Sequence, residues 1–227
     1  MAIVNKAMTD FAVIGLGKFG SAITKELYMQ GKEVLAIDLN EDKINAISEF
    51  TTHAVVADAS DEQAMMAIGL RNFDAIIICM GANMQASILT TLICKEQGAP
   101  FVVAKANSKK HKEVLKKIGA DLIVQPEEEM AHKLAVQLVT PHLNDIMVLD
   151  EKFTIAETDV PSKWENRSLI DIDMRRKYGV TLLIIKSNDK VVVSPSGDAL
   201  LKKGDSILIG GDAQSVSKFI DKLAMMK

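Results

Sequence analysis

Phe11-Ala-Val-Ile-Gly-Leu-Gly-Lys-Phe-Gly-Ser-Ala-Ile23 is the stretch from which the rest of the chain is best read. Four apolar residues, Phe11 to Ile14, run into Gly15. A helical pattern then begins at once, with Ile23, Leu27 and Tyr28 expected on one face. The reading is strand, tight turn, helix, with Gly15, Gly17 and Gly20 in the G-x-G-x-x-G spacing. Gly15 allows the turn, Gly17 lets backbone N–H groups approach a pyrophosphate, and Gly20 lets helix and strand pack closely. The helix N-terminus adds unpaired donors and a partial positive charge that favour an anion. Leu16, Lys18 and Phe19 complete the same candidate phosphate loop. A lone motif of this kind is also compatible with a glycine-rich turn that holds nothing, so its context decides.

The bulk properties set bounds on that context. A chain of 227 residues has room for one large or two small domains. Apolar residues make up 48% and charged residues 25%, as in an ordinary globular protein, while 4% aromatics imply an aliphatic, methionine-rich core. A net charge of −3 argues against a nucleic-acid surface. The basic run Lys105, Lys109, Lys110, His111, Lys112, Lys116, Lys117 has no interleaved aromatics for base stacking and reads as a solvated helix face. No apolar stretch is long enough to span a bilayer, and the first residues are too short and polar for a signal peptide. Cys79 and Cys94 lack metal or redox spacing and read as reduced core thiols of a cytoplasmic protein.

After the opening turn, Glu33–Asp38 reads as a second buried strand ending in an acid, 18 residues past Gly20. That is close to the distance at which a carboxylate accepts hydrogen bonds from a ribose, and Asn40 is the better cap for the next helix. Further strands read at His53–Ala57, Asp74–Cys79, Phe101–Ala104 and Asp121–Val124. Helices between them start near Ser60, Asn83 and Ser108. Strands without polar alternation, separated by helices, imply a parallel sheet covered on both faces, and six of them fill a Rossmann-type, doubly wound unit. Ligands in such sheets bind beyond the strand ends. Those ends carry Gly15–Gly20, Asp38, Asp58 and Ala59, then Gly81, Ala82 and Asn83, then Lys105. Their succession makes nucleotide binding the expected property.

A helix is expected from Glu127 to about His142, with three acids in its first turn and too many apolar residues for one stripe, which suggests a second subunit. From Asp145 the texture changes to a small α+β module. A strand reads at Phe153–Val160, a helix at Ser168–Tyr178 and a hairpin at 181–193. A strand at Ser206–Ile209 and a last helix from Ala213 follow. The expected division is 1–144, a nucleotide-binding domain with its crossover helix, and 145–227, a regulatory domain small enough to need dimerisation.

With both halves read, the chain resembles the RCK (regulator of K⁺ conductance) family, of the cytoplasmic KtrA/TrkA type. In the first half the resemblance rests on Val13–Gly20, Val56-Ala-Asp-Ala59, Asn83–Leu92, Val103–Ala106 and Lys117-Ile-Gly-Ala-Asp121 with Pro126-Glu127. In the second half it rests on Ser168–Gly179 and Lys203-Gly-Asp205. It implies a non-catalytic gating subunit whose dimers assemble into a ring of eight beneath an integral-membrane potassium-translocating partner, with ATP favouring the conducting state and ADP the closed one. It further implies that Asp38 holds the ribose, Asp58 and Ala59 the adenine end, and Gly15 to Gly20 the phosphates. Lys105 and His111 would be further ligand contacts, and Glu127 would hold a divalent cation (Mg²⁺ or Ca²⁺) near the γ-phosphates of paired subunits. The family commonly has arginine at the position of Lys18, so a bidentate phosphate contact is lost here. Similar TrkA-type proteins bind NAD(H), which Asp38 suits equally. In the second domain the resemblance implies a cyclic di-AMP site, with Arg175 on phosphate, Thr181 beside it and Leu169, Ile170 and Met174 as apolar walls. The competing class is an NAD-dependent dehydrogenase, but the second module offers no histidine with an acid partner.

Overall fold

The computed structural model describes residues 7–81, 83–140, 143–149, 152–188 and 190–224. The chain divides into two compact units, Met1–Pro126 and Glu127–Lys227.

In the first unit, β1 (Asp10–Ile14), α1 (Lys18–Met29), β2 (Glu33–Asp38), α2 (Glu41–Ile47), β3 (His53–Val56) and α3 (Glu62–Ile68) come first. They are followed by β4 (Ala75–Ile78), α4 (Met84–Glu96), β5 (Val102–Lys105), α5 (Lys109–Lys117) and β6 (Leu122–Val124). All six strands are parallel, in the order β3-β2-β1-β4-β5-β6. The order reverses between β1 and β4, which opens a crevice beyond their C-terminal ends. The absence of polar alternation has a direct cause: Ala12, Ile14, Ile76 and Ile78 pack into one core cluster. Phe11, Val13, Ala75 and Ile77 pack into another. Alternate residues of each central strand thus face opposite, equally apolar layers.

Two details of this unit depart from expectation. Tyr28 is 40% exposed; the inward face of α1 runs through Gly20 and Thr24 instead, with Ile23 and Leu27 half-buried beside them. The cap of α3 is Asp61, whose Oδ1 accepts from Gln63 N and Ala64 N at 2.8 and 3.2 Å. The Ser60 hydroxyl is already committed to Asp58 Oδ1 at 2.6 Å. Asn40, Asn83 and Ser108 cap α2, α4 and α5, each side-chain oxygen accepting a backbone N–H of the first turn.

The second unit contains α6 (Pro126–Val139, from Glu127 onward), β7 (Leu143–Val148), β8 (Phe153–Asp159), α7 (Leu169–Ile172) and α8 (Met174–Tyr178). Then come β9 (Thr181–Ser187), β10 (Lys190–Val193), β11 (Ser206–Asp212) and α9 (Ala213–Ala224). Its antiparallel sheet has the order β10-β9-β11-β8-β7. Trp164, Tyr178 and Phe219 meet edge or face in its core, with ring centroids 5.4 to 5.9 Å apart. β7 escaped the sequence reading because its pairing with β8 shifts register between Leu143 and Asp145, so no period of two survives. The single helix expected over Ser168–Tyr178 is two pieces, parted by Asp173 at φ +50°. That left-handed residue lets Ile172 and Met174 both turn into the core, which neighbours two apart on one helix do not do.

No residue of α6 is buried within the chain, and Met130, Leu134, Leu138 and Val139 are strongly exposed. The helix is tied to β7 by Lys133 Nζ to Asp145 Oδ1 at 2.7 Å and by Gln137 Nε2 donating to Asn144 O at 2.6 Å. Its expected end at His142 lies outside the described residues.

Candidate functional site

The opening turn is built as its spacing requires. Gly15 has φ +91°, and its N–H donates to Ile37 O at 2.8 Å, holding the turn against β2. A Cβ on Gly20 would collide with the Gly15 carbonyl oxygen, so only glycine lets α1 start this close to β1. Gly17 is the opposite case. It caps α1 at φ −73°, and a Cβ there would meet no protein atom within 4 Å. The chain itself therefore does not need a glycine at 17, whereas an anion lying on the helix N-terminus would. Lys18 is exposed and Phe19 half-buried, and the Lys105 Nζ stands 5.8 Å from the Phe19 ring centroid.

Asp38, at the end of β2, is 9% exposed. Its Oδ2 accepts from Leu16 N at 2.7 Å, inside the glycine turn, and its Oδ1 accepts from Asn40 N at 2.9 Å. Lys43 Nζ, on the first turn of α2, bridges Oδ2 at 3.1 Å and Oδ1 at 3.3 Å. Burial alone would raise the pKa of this carboxyl. The N–H donors of Asn40 and Leu16, with the Lys43 ammonium, outweigh burial and hold it below the usual carboxylate range. The group is a fixed anion at neutral pH.

Beyond β3, Asp58 is exposed and Ala59 is buried. Thr90 Oγ1 on α4 donates to Ala59 O at 2.9 Å and fastens that loop. Both hydrogen bonds from Ser60, hydroxyl first and then N–H, lower the Asp58 pKa. Beyond β4, Asn83 spends its side-chain oxygen on the α4 cap, accepting from Ala86 N at 3.0 Å. Ala82 lies outside the described residues. Gly81 O accepts from Asn107 Nδ2 at 2.7 Å, so the loops after β4 and β5 are stitched together.

That bond assigns the Asn107 amide and leaves Oδ1 3.1 Å from His111 Nδ1, toward which the Asn107 backbone N–H also points at 3.4 Å. His111 is fully buried, its Nε2 has no hydrogen-bond partner among the described residues, and burial pushes its pKa down. The structure thus places the Asn107 side chain against Gly81 O. Sequence reasoning missed Asn107 and Lys43. The signals were available: an amide two residues past Lys105, and a lysine five residues past the acid, on the first turn of the next helix.

Glu127 is the first residue of the second unit and is exposed. Among the described residues no three His, Cys, Asp or Glu side chains cluster as metal ligands. Of the second-unit candidates, Arg175, Thr181 and Ile170 are exposed, Leu169 is half-buried and Met174 is in the core. Ile170 N donates to Gly197 O at 2.9 Å, so Ile170 and Gly197 share one surface. No helix among the described residues is long and apolar enough to cross a membrane.

Comparison with known proteins matches residues 11–126 to the TrkA-N domain and 153–224 to the TrkA-C domain. The chain is 42% identical to Ktr system potassium uptake protein A of Bacillus subtilis (strain 168) over 210 residues, covering 92% of this chain and 95% of that protein. It is 35% identical to the protein of the same name from Vibrio alginolyticus over 214 residues, covering 94% and 97%. Among solved structures, the GsuK RCK domain superposes with a TM-score of 0.67 at 13% identity, covering 96% of this chain and 48% of that one. The GsuK channel bound to NAD superposes with 0.68 at 13% identity, covering 98% and 40%. A six-stranded parallel Rossmann-type sheet followed by a small antiparallel unit, a matched TrkA-N and TrkA-C pair and near-full-length likeness to Ktr potassium uptake proteins lead to one conclusion: the chain belongs to the RCK family, in its TrkA-N/TrkA-C form.

Proposed function

We propose that this chain is the nucleotide-sensing, non-catalytic gating subunit of a Ktr/Trk-type potassium transport system. The observation that carries the reading is the pairing of an open phosphate cradle at Gly17 with an ionised acid, Asp38, at the topological switch point of the sheet. The 42% identity to a Ktr potassium uptake protein supports the transport role. Residues 1–144 take the nucleotide, with Gly15 to Gly20 on phosphates, Asp38 on ribose, Asp58 and Ala59 on the adenine end, and Gly81, Asn83 and Lys105 lining the crevice. Residues 145–227 form the regulatory and dimerising part. The exposed Met130–Leu134–Leu138 row of α6 is apolar surface that a second copy covers, and dimers build an octameric ring at the inner face of the membrane, on a potassium-translocating partner.

Gating follows from differential binding: ATP opens the pathway only by as much as it prefers one ring geometry over another. A coupling of about 1–3 kcal/mol per site, multiplied around a ring, is enough to swing the population. ADP binds the same cradle without a γ-phosphate and favours the closed ring. A divalent cation, Mg²⁺ or Ca²⁺, held by Glu127 residues of paired chains belongs to the same proposal. Cyclic di-AMP is the proposed second signal, on the surface carrying Arg175, Thr181 and Ile170. A second reading, NAD(H) in place of ATP and ADP, is favoured by Asp38 itself, since a buried acid at the end of β2 suits any adenosine ribose.

Calorimetry with ATP, ADP, NADH and cyclic di-AMP, each with and without Mg²⁺ or Ca²⁺, discriminates these readings. ATP and ADP binding that is lost in Asp38→Asn, together with nucleotide-dependent K⁺ flux through the reconstituted partner, is the expected result. Tight NADH binding with no response to ATP would replace the ATP reading, and hydride-transfer turnover would overturn the non-catalytic role.

A further inference from the structure

The Asp38 carboxylate is saturated by its own chain. An ionised carboxylate offers about four lone-pair positions in its plane. Leu16 N–H takes one on Oδ2 at 2.7 Å, and Asn40 N–H takes one on Oδ1 at 2.9 Å. Lys43 Nζ covers the remaining position on each oxygen, at 3.1 and 3.3 Å. The two backbone donors are part of the glycine turn and of the start of α2, so neither can leave while the fold stands. Lys43 can. Its side chain is 46% exposed, and its charge sits on a flexible four-carbon stem.

A ribose diol that bonds Asp38 needs the positions that Lys43 covers. We propose that Lys43 is a specificity-determining residue of this site, an internal competitor that occupies Asp38 in place of the ribose hydroxyls and is displaced when a ribonucleotide binds. The inference rests on the reading of Asp38 as the ribose acceptor and adds the residue that opposes it. Its chemical consequence is a filter. A ligand with both hydroxyls repays displacement of the ammonium by making two charge-assisted hydrogen bonds. A deoxy ligand leaves Lys43 where it is and gains nothing from Asp38. Lys43 therefore weakens every ribonucleotide by a constant factor and makes the site respond to concentration rather than remain filled.

The test compares ATP with 2′,3′-dideoxy-ATP by calorimetry on the full chain, wild type against Lys43→Met and Lys43→Arg. Loss of a positive charge weakens both nucleotides alike, so the readout is the ratio of the two dissociation constants. In Lys43→Met, Asp38 keeps Leu16 and Asn40 as donors and the diol meets an open carboxylate. The preference for ATP over the dideoxy analogue should rise about three- to fivefold, the scale of a partly exposed ion pair. In Lys43→Arg, which retains a cation able to cover both oxygens, the preference should stay at or below wild type. A preference in Lys43→Met that is unchanged or smaller overturns the competitor role, because Lys43 would then be idle or would itself bond the ribose. Failure of all three proteins to bind ATP would overturn the ATP reading and this inference with it, whereas binding with an unmoved ratio overturns this inference alone.

Discussion

Adding one methyl group at Gly17 and at Gly20, in separate variants, separates what the opening turn does for the fold from what it does for a ligand. At Gly20 the new Cβ would run into the Gly15 carbonyl oxygen and would also stand 3.2 Å from Cys79 Cβ. Backbone cannot rotate away, so α1 must lift off β1. Overpacking of this kind costs about 1–3 kcal/mol. For a domain of this size each kcal/mol lowers the melting temperature by roughly 4 °C, so Gly20→Ala should melt several degrees to a little over 10 °C lower. At Gly17 the new Cβ meets nothing, and the backbone angles suit alanine. The weaker helix cap and the stiffer unfolded chain act in opposite directions, which keeps the stability change within about 0.5 kcal/mol. The same methyl group lies where a phosphate would approach the N-terminus of α1, so ATP or ADP affinity should fall at least tenfold, about 1.4 kcal/mol. Differential scanning calorimetry of both variants with and without nucleotide reads the two effects together. Undiminished nucleotide binding by Gly17→Ala would refute the phosphate cradle. An unshifted transition in Gly20→Ala would refute the helix–strand contact.

Further expectations concern other parts of the chain. Burial holds the His111 pKa below its ordinary value near 6.5. The unfolded chain therefore takes up a proton there before the folded one, and stability is full above 6.5 and falls as the pH drops below it. Denaturant titrations at descending pH should show that slope, flattened in His111→Gln. Leu134→Lys with Leu138→Lys should leave the unfolding of a single chain nearly unchanged, since neither residue is buried within it, yet lower the mass seen by sedimentation. Arg175→Ala should weaken cyclic di-AMP at least tenfold, by about 1.4 kcal/mol, and leave ATP binding alone.

The first unit was largely legible because its signals are local and repeat. Each buried strand is a short aliphatic run, and three of the helix caps, Asn40, Asn83 and Ser108, sit where the pattern changes period. The second unit was less so, for reasons that lie in tertiary structure. β7 carries Asn144 and Asp145 within a bulged pairing, and only its partner β8 makes it a strand. The break at Asp173 is set by the need to bury both Ile172 and Met174, which no propensity at Asp173 announces. At the site, motif spacing pointed to residues at the strand ends but not to those that hold them in place. Lys43 on Asp38 and Asn107 between Gly81 and His111 act across elements, and their partners become visible only once the strands are side by side.

The two thiols have a practical meaning for following this protein at work. Cys79 and Cys94 are both buried, and burial pushes each pKa up to about 12. At neutral pH almost no thiolate exists to attack a maleimide or an oxidant, and little surface is offered to either. A single cysteine introduced on the exposed β10 strand, at Val191 for example, would be the fast-reacting thiol of the chain without removal of the native pair. A dye or spin label attached there would let movements of this chain be followed in real time on an otherwise unaltered sequence.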